Sequence, residues 1–231
     1  NDGDNLSAVY DFPRIEGKYP RGNLTEAPNG KFYGMTFNGG KSDLGVLFEF
    51  DQATGTYTKK IDFTGGENGS QPFGSLTVYG TKLYGMTWSG GIYDWGVIFE
   101  FNPENGELVK KVDFDNGNMG GRPIGNFTVM GSKLYGMASA GGSNYYGTLF
   151  EFDPTTGDFN KKFDFDGTGT GREPHGSLTM KDNVLYGTTY LGGANDRGVI
   201  FRFNPADNAF NKFFDFDNGN TGNPYDHTLL H

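Results

Sequence analysis

The chain has no cysteine, which excludes a disulfide framework, a thiol nucleophile and a cysteine-ligated metal while leaving the redox compartment open. Histidine is scarce as well: His175, His227 and His231 are the whole supply, and two of them sit at the C-terminal end. No apolar run reaches 18 residues, so no transmembrane helix is expected. Positive charge is in the minority. With 19 Lys and Arg against 28 Asp and Glu the net charge is -9, and a nucleic-acid partner is excluded because a phosphate backbone would be repelled. The opening NDGDNLSAVYDF lacks the basic and apolar segments of a secretion signal, so any such signal was removed or never present. No glycine loop opens a helix to cradle a phosphate, and helical periodicity is missing throughout.

What the chain has is glycine, 39 residues of 231, and aromatics at 16%, written as a repeat. A fixed period of roughly 20 to 50 residues marks stacked supersecondary units. Tyr33-Gly34-Met35, Tyr84-Gly85-Met86, Tyr135-Gly136-Met137 and Tyr186-Gly187-Thr188 stand 51 apart. Phe48-Glu49-Phe50, Phe99-Glu100-Phe101, Phe150-Glu151-Phe152 and Phe201-Arg202-Phe203 keep the same step. Asp-Phe recurs at Asp11-Phe12, Asp62-Phe63, Asp113-Phe114, Asp164-Phe165 and Asp215-Phe216.

One unit reads as four short strands. Ser75 to Val78 and the aromatic Lys82 to Trp88 flank a tight turn and form a hairpin. The nearly continuous apolar run Gly96 to Phe101 suits a strand buried on both faces, placed as an inner strand. Asn102 to Gly106, like its relatives at 51–55 and 153–157, reads as a turn closed by a left-handed glycine. The run from Glu107 alternates, which puts Leu108, Lys110, Val112 and Phe114 on one face of an outer strand. Four antiparallel strands per 51-residue unit, with no helix, predict an all-β fold: a β-propeller in which Tyr84 wedges between blades and Gly85 lets neighbouring sheets approach. The whole chain, 1–231, is expected to be a single repeat domain with units at about 1–22 (partial), 23–73, 74–124, 125–175, 176–222 and 223–231 (partial). That makes four complete units plus one split or incomplete unit, five-bladed if closed. Five full units would need 24 more residues, about one second and one third strand. A partner or a further segment of a longer chain is expected to supply them, because open strand edges invite aggregation.

The pattern LYGMT..GG....GVIFEF.P..G, followed by DF, a glycine-rich linker and P.GSLT, resembles the GloVer tandem repeat of secreted bacterial proteins, often called choice-of-anchor repeat proteins. The resemblance covers nearly the whole chain, although Met follows Tyr-Gly in three units where threonine is usual. It implies an exported, surface or extracellular propeller-like protein, and carries over no catalytic residue.

Both long connections of a unit, the turn between strands two and three and the linker to the next unit, fall on one face. Their glycines repeat while the residues between them vary, as in binding surfaces built on a constant scaffold. Tyr93, Trp95, Tyr145 and Tyr146 are candidates to stack on sugar rings, with Asp94, Asn144, Asn195, Asp196 and Arg197 as hydrogen-bonding partners. Ordinary solvated loop tips, with the aromatics packed on neighbouring blades, account for the same residues. In the linkers Asp113, Asp115, Asp164, Asp166, Asp215 and Asp217 offer oxygen ligands that would suit Ca2+. They lack EF-hand spacing, and turn chemistry explains them as well, so no metal or cofactor is expected.

Catalysis finds little support. His175 stands where sister units have Phe73 and Ile124, so it reads as a tolerated linker position. Glu49, Glu100 and Glu151 recur at one repeat position, which signals framework, since catalytic constellations are asymmetric. Lys60/Asp62, Lys111/Asp113 and Lys162/Asp164 read as surface ion pairs. N-x-Ser/Thr triplets at Asn5, Asn23, Asn68 and Asn126 carry no weight in a bacterial setting. Two function classes follow: a non-catalytic extracellular or cell-surface module that binds or scaffolds a protein or glycan, and, as the alternative, a lectin-like propeller, more remotely a glycan hydrolase or lyase.

Overall fold

The computed structural model describes residues 15–217. The N-terminal LSAVYDF strand, the C-terminal HTLL strand, His227 and His231 lie outside them. The first blade holds β1 (Lys18–Pro20), β2 (Thr25–Glu26), β3 (Phe32–Asn38), β4 (Val46–Asp51) and β5 (Thr56–Asp62). The second holds β6 (Thr77–Tyr79), β7 (Lys82–Met86), β8 (Val97–Asn102) and β9 (Glu107–Asp113). The third holds β10 (Thr128–Met130), β11 (Lys133–Ala138), β12 (Thr148–Phe152) and β13 (Phe159–Asp164), and the fourth β14 (Thr179–Lys181), β15 (Val184–Thr188), β16 (Val199–Asn204) and β17 (Ala209–Asp215). The second, third and fourth blades are antiparallel meanders in chain order, while in the first both β1 and β2 pair with β3, and no helix occurs among the described residues. This is a β-propeller architecture. The expected turns are present: Tyr79 pairs Lys82 across a two-residue hairpin, and Gly55, Gly106 and Gly157 all close their turns at positive φ.

The strand at the propeller axis is β2 in the first blade and the first strand, β6, β10 or β14, in the others, not the apolar strand that follows the variable loop. A Cβ on Gly22 would meet the Gly74 carbonyl at 2.6 Å, one on Gly74 the Gly125 carbonyl at 2.5 Å, and one on Gly125 the Gly176 carbonyl at 2.3 Å. Backbones this close leave room only for glycine. The third strand is instead a middle strand, buried on both faces as its composition requires.

The core lies between blades. Residues opposite one another on paired strands share a face. Leu83, Phe99 and Phe101 share one face of the second blade; Tyr84, Met86, Ile98 and Glu100 share the other. The first face packs on Tyr33, Met35 and Leu47 of the blade before; the second packs on Leu134, Phe150 and Phe152 of the blade after. Tyr33 and Tyr84 do wedge between blades, 5.7 Å from Phe101 and 6.2 Å from Phe152. The Phe of each Asp-Phe pair crosses the same gap: Phe63 meets Phe99 at 5.7 Å, Phe114 meets Phe150 at 5.4 Å and Phe165 meets Phe201 at 5.5 Å.

Two expectations are corrected here. Gly85 does not make room for a neighbouring sheet; it makes room for Phe99 of its own blade, whose Cζ would lie 2.4 Å from an added Cβ. The ring lies across the glycine of the paired strand. A β-bulge between Ile98 and Phe99 also alters the simple alternation of β9. Lys110 pairs Phe99 while Val112 pairs Ile98, so Val112 falls on the opposite face from Lys110. The ion pairs shift accordingly: Lys110 reaches Asp113 at 2.9 Å, and Lys111 reaches Glu100 at 3.0 Å. The same swap gives Lys59–Asp62 with Lys60–Glu49, and Lys161–Asp164 with Lys162–Glu151.

The recurring glutamates are thereby accounted for. Tyr84 Oη donates to Glu100 at 2.7 Å, and Tyr33 and Tyr135 donate likewise to Glu49 and Glu151. Burial and the carboxylate hold these tyrosine hydroxyls protonated, well above the ordinary tyrosine range. In the fourth blade Arg202 replaces the glutamate and Phe213 the lysine, and the Arg202 guanidinium lies over the Phe213 ring at 5.2 Å.

Gly85→Ala is expected to cost about 1–3 kcal/mol through overpacking against Phe99, read as a lower urea midpoint. An unchanged midpoint would show that the ring is free to move aside. Burial raises the pKa of Glu49, Glu100, Asp164 and Asp215, yet their hydrogen bonds to Lys, Tyr or backbone N–H outweigh it and hold each below its ordinary value. Depressed carboxylates contribute stability that is complete above their unfolded pKa and is lost as pH falls through the folded one. The thermal midpoint is therefore expected to fall most steeply below the ordinary 3.8 to 4.5 range, and Glu100→Gln to flatten part of that slope.

Candidate functional site

The long connections do share one face, and backbone hydrogen bonds stitch them together. Gln71, Arg122 and Glu173 of the linkers donate to Leu44, Trp95 and Tyr146 of the preceding blade's loop, and accept from Trp88, Ser139 and Tyr190 of the following blade. Those three linker residues adopt φ between 54° and 55°. Asp62, Asp113, Asp164 and Asp215 each accept from the first residue of their blade's variable loop: Lys41, Ile92, Ser143 and Ala194 N–H respectively.

This framework occupies much of the set of metal candidates. Asp113, Asp164 and Asp215 are held by lysine and backbone as described. Asp115 accepts from Gly117 and Met119 N–H, and Asp166 from Gly169 and Thr170 N–H, as turn-closing side chains do. Asp217 is partnered as well.

The nine ligand candidates lie on the variable loops of the second, third and fourth blades. Tyr93, Asp94 and Trp95 belong to the second blade's loop. Asp94 Oδ1 accepts from Gly90 N–H and so maintains the loop. Trp95 packs on Gly121 and lies 4.5 Å from the Arg122 guanidinium, whose other face meets Trp88 at 3.9 Å. Tyr93 is 57% exposed and Tyr145 73%, and these two rings are more open to solvent than Tyr146 at 38%. Asn144 and Asn195 donate to the Phe165 and Phe216 carbonyls. Tyr146, Asn195 and Asp196 do come together, around a hollow of 740 Å³ shared with Arg172. There Asp196 is held by Gly192 N–H and Arg172, with exposed Arg197 beside it, so its carboxyl titrates below the ordinary aspartate value.

A second cavity, of 590 Å³, opens on the propeller axis of the same face. Its residues come from one position repeated in four linkers: Arg21, Phe73, Ile124 and His175 stand immediately before the axial glycines. Behind them, at another variable repeat position, stand Phe37, Trp88, Ser139 and Tyr190. Arg21 lies 4.5 Å and 4.6 Å from the Phe37 and Phe73 rings, and His175 stacks on Tyr190 at 4.7 Å. His175 is thus more than a tolerated linker residue; the topology carries it to the cavity mouth. Burial lowers its pKa from 6.5 against the opposing pull of Glu173, which leaves it neutral at pH 7. Variation at a fixed place in the repeat was the signal for these positions, but only the turn of successive blades about the axis brings them together.

The floor is a ladder of bonds between blades. Asn23 N–H donates to Ser75 Oγ at 2.7 Å, Ser75 N–H to Asn126 Oδ1 at 2.5 Å, and Asn126 N–H to Ser177 Oγ at 2.8 Å. Thr25, Thr77 and Thr128 hydroxyls donate to the Leu76, Phe127 and Leu178 carbonyls of the next blade.

The family model of the Gloeobacter/Verrucomicrobia repeat matches residues 1–91 and 79–231. The chain belongs to that family. No curated protein sequence matches it. Solved structures show where else this blade arrangement occurs. The extracellular domain of a hybrid two-component system from B. thetaiotaomicron aligns at TM-score 0.61 and 15% identity, over 92% of this chain and 24% of the other. A nidogen/laminin complex aligns at TM-score 0.54 and 15% identity, over 81% and 61%. TolB from Acinetobacter baumannii aligns at 0.51 and 13%, over 84% and 43%. This repeat chain therefore spans less than two thirds of each, and at such identity the likeness concerns the fold alone.

Tyr190→Ala is expected to uncover His175 and raise its pKa back toward 6.5, followed by NMR titration of the imidazole. The sign follows from burial: a base kept neutral in the folded state weakens stability as pH falls through its unfolded value. A titration curve unmoved by the substitution would mean that the ring does not shield it.

Proposed function

We propose that this propeller is a non-catalytic binding or scaffolding module working outside the cell, with the long-loop face and its axial cavity as the ligand surface. One observation carries the reading. Glycines, aspartates and backbone bonds that build this face recur from blade to blade, while two positions at and behind the cavity wall, Arg21/Phe73/Ile124/His175 and Phe37/Trp88/Ser139/Tyr190, differ in every blade. A constant frame with variable, aromatic-rich contact residues is suited to recognition. The likeness to an extracellular domain and to a chain of a nidogen/laminin complex agrees with a role in extracellular binding.

The same account argues against catalysis. Glu49, Glu100 and Glu151 serve tyrosine and lysine between blades, away from the cavity, and among the described residues no carboxylate pair lines either of these two hollows in the manner glycoside hydrolysis requires. A glycan ligand is the second reading, favoured by the density of Trp and Tyr on this face.

A panel of glycans and extracellular matrix proteins, tested on immobilised protein, is expected to yield binding that falls at least tenfold in a Trp88→Ala, Tyr190→Ala double variant. That loss matches about 1.4 kcal/mol or more. Cleavage of any polysaccharide in the panel would overturn the non-catalytic reading; undiminished binding in the double variant would move the ligand to another face.

A further inference from the structure

We propose that the axial cavity takes the end of a carboxylate-bearing sugar, a uronic acid unit, with its carboxylate on Arg21 and its hydroxyls over the axial ring of Ser75, Asn126 and Ser177. This rests on the binding-module reading and names the ligand class for it.

Charge is the first argument. The protein carries 28 acidic residues, yet among the described residues no carboxylate lines this cavity. Among those residues Arg21 is the one permanent charge, since burial lowers the pKa of His175. Among the described residues no carboxylate pairs with Arg21; its guanidinium lies instead over Phe37 and Phe73. The two rings meet edge to face at 83°, so the guanidinium lies against both without being enclosed by them, and its N–H groups can take a bidentate carboxylate. A site built this way repels cations and welcomes one negative group.

Hydrogen-bond capacity is the second. In the axial ladder Ser75 Oγ and Ser177 Oγ accept from backbone N–H, and Asn126 does so through Oδ1. Accepting leaves each serine its hydroxyl proton and the asparagine its amide N–H2 group, because a hydroxyl can donate while it accepts. The floor therefore offers donors to oxygen atoms, and the glycine carbonyls beside it offer acceptors to hydroxyls. A sugar, whose every hydroxyl both donates and accepts, uses both.

Shape is the third. The cavity volume of 590 Å³ falls in the range of about 300–1,000 Å³ typical of small-molecule sites, too roomy for a bare anion. Phe73, Ile124 and the stacked His175–Tyr190 pair supply apolar wall for the C–H face of a pyranose. A carboxylate, several hydroxyls and an apolar face together describe a uronic acid.

The test is an amide NMR titration with methyl glucuronide, using methyl glucoside and acetate as separate probes for the sugar and the carboxylate. Methyl glucuronide is expected to shift the amides of Gly22, Gly74, Gly125 and Gly176, and to bind at least tenfold more tightly than either probe. Arg21→Gln should remove that advantage, Arg21→Lys should keep part of it, and Glu107→Gln on the short-turn face should leave it intact. Equal binding of glucoside and glucuronide, insensitivity to Arg21→Gln, or no axial shifts at millimolar ligand would each overturn the proposal. If it fails while another panel ligand still depends on Trp88 and Tyr190, the binding-module reading survives without the acid sugar.

Discussion

A four-stranded sheet has two faces to bury, and each interface between blades in this chain is built from one face of the blade before and the opposite face of the blade after. Tyr33, Met35 and Leu47 supply half of one interface; Leu83, Phe99 and Phe101 of the next blade supply the other half. Stability is thus shared in the way of repeat proteins, as a sum over neighbours rather than a property of one unit. The phrases that repeat are the ones this packing needs. Tyrosine and the Phe after each aspartate cross the gap, while glycine lets the paired strand's Phe lie flat against the sheet.

Because packing between blades employs the strand residues, the long connections are left to hold the face and little else. They do so with backbone and aspartate: the linker clamps the loop before it and the strand after it, and Asp113 or its equivalents pin the loop start. Side chains at positions 21, 73, 124 and 175 lie outside that framework, with ring contacts such as Arg21 to Phe37 and His175 to Tyr190, and they are the ones that meet at the axis. Several loop candidates that looked available in sequence, Asp94, Asn144, Asn195 and Asp196 among them, turn out to hold the loops together. The third blade shows how tightly the frame is coupled. Thr87 beside Val97 becomes Ala138 beside Thr148, and the hydroxyl survives by moving to the partner strand.

Period, turn chemistry and strand type were legible in the sequence because they are local. A 51-residue step, two-residue hairpins and an apolar third strand follow from propensity and alternation within a few residues. The bulge at Lys111 was not legible, since alternation by itself carries no mark of an extra residue, and it moved every lysine to a different carboxylate. The role of Gly85 was misassigned for a similar reason: a glycine beside a tyrosine reads as close approach of something, and only the register with Phe99 names what approaches.

By itself, then, the sequence determined the family, the all-β propeller architecture, the face that carries the variable loops and the net charge of -9. Tertiary structure decided which residues share a site. Arg21, Phe73, Ile124 and His175 are spread across more than 150 positions and meet because successive blades turn about one axis and bring their axial strands together. No short-range pattern encodes that meeting, since it depends on the summed rotation from blade to blade.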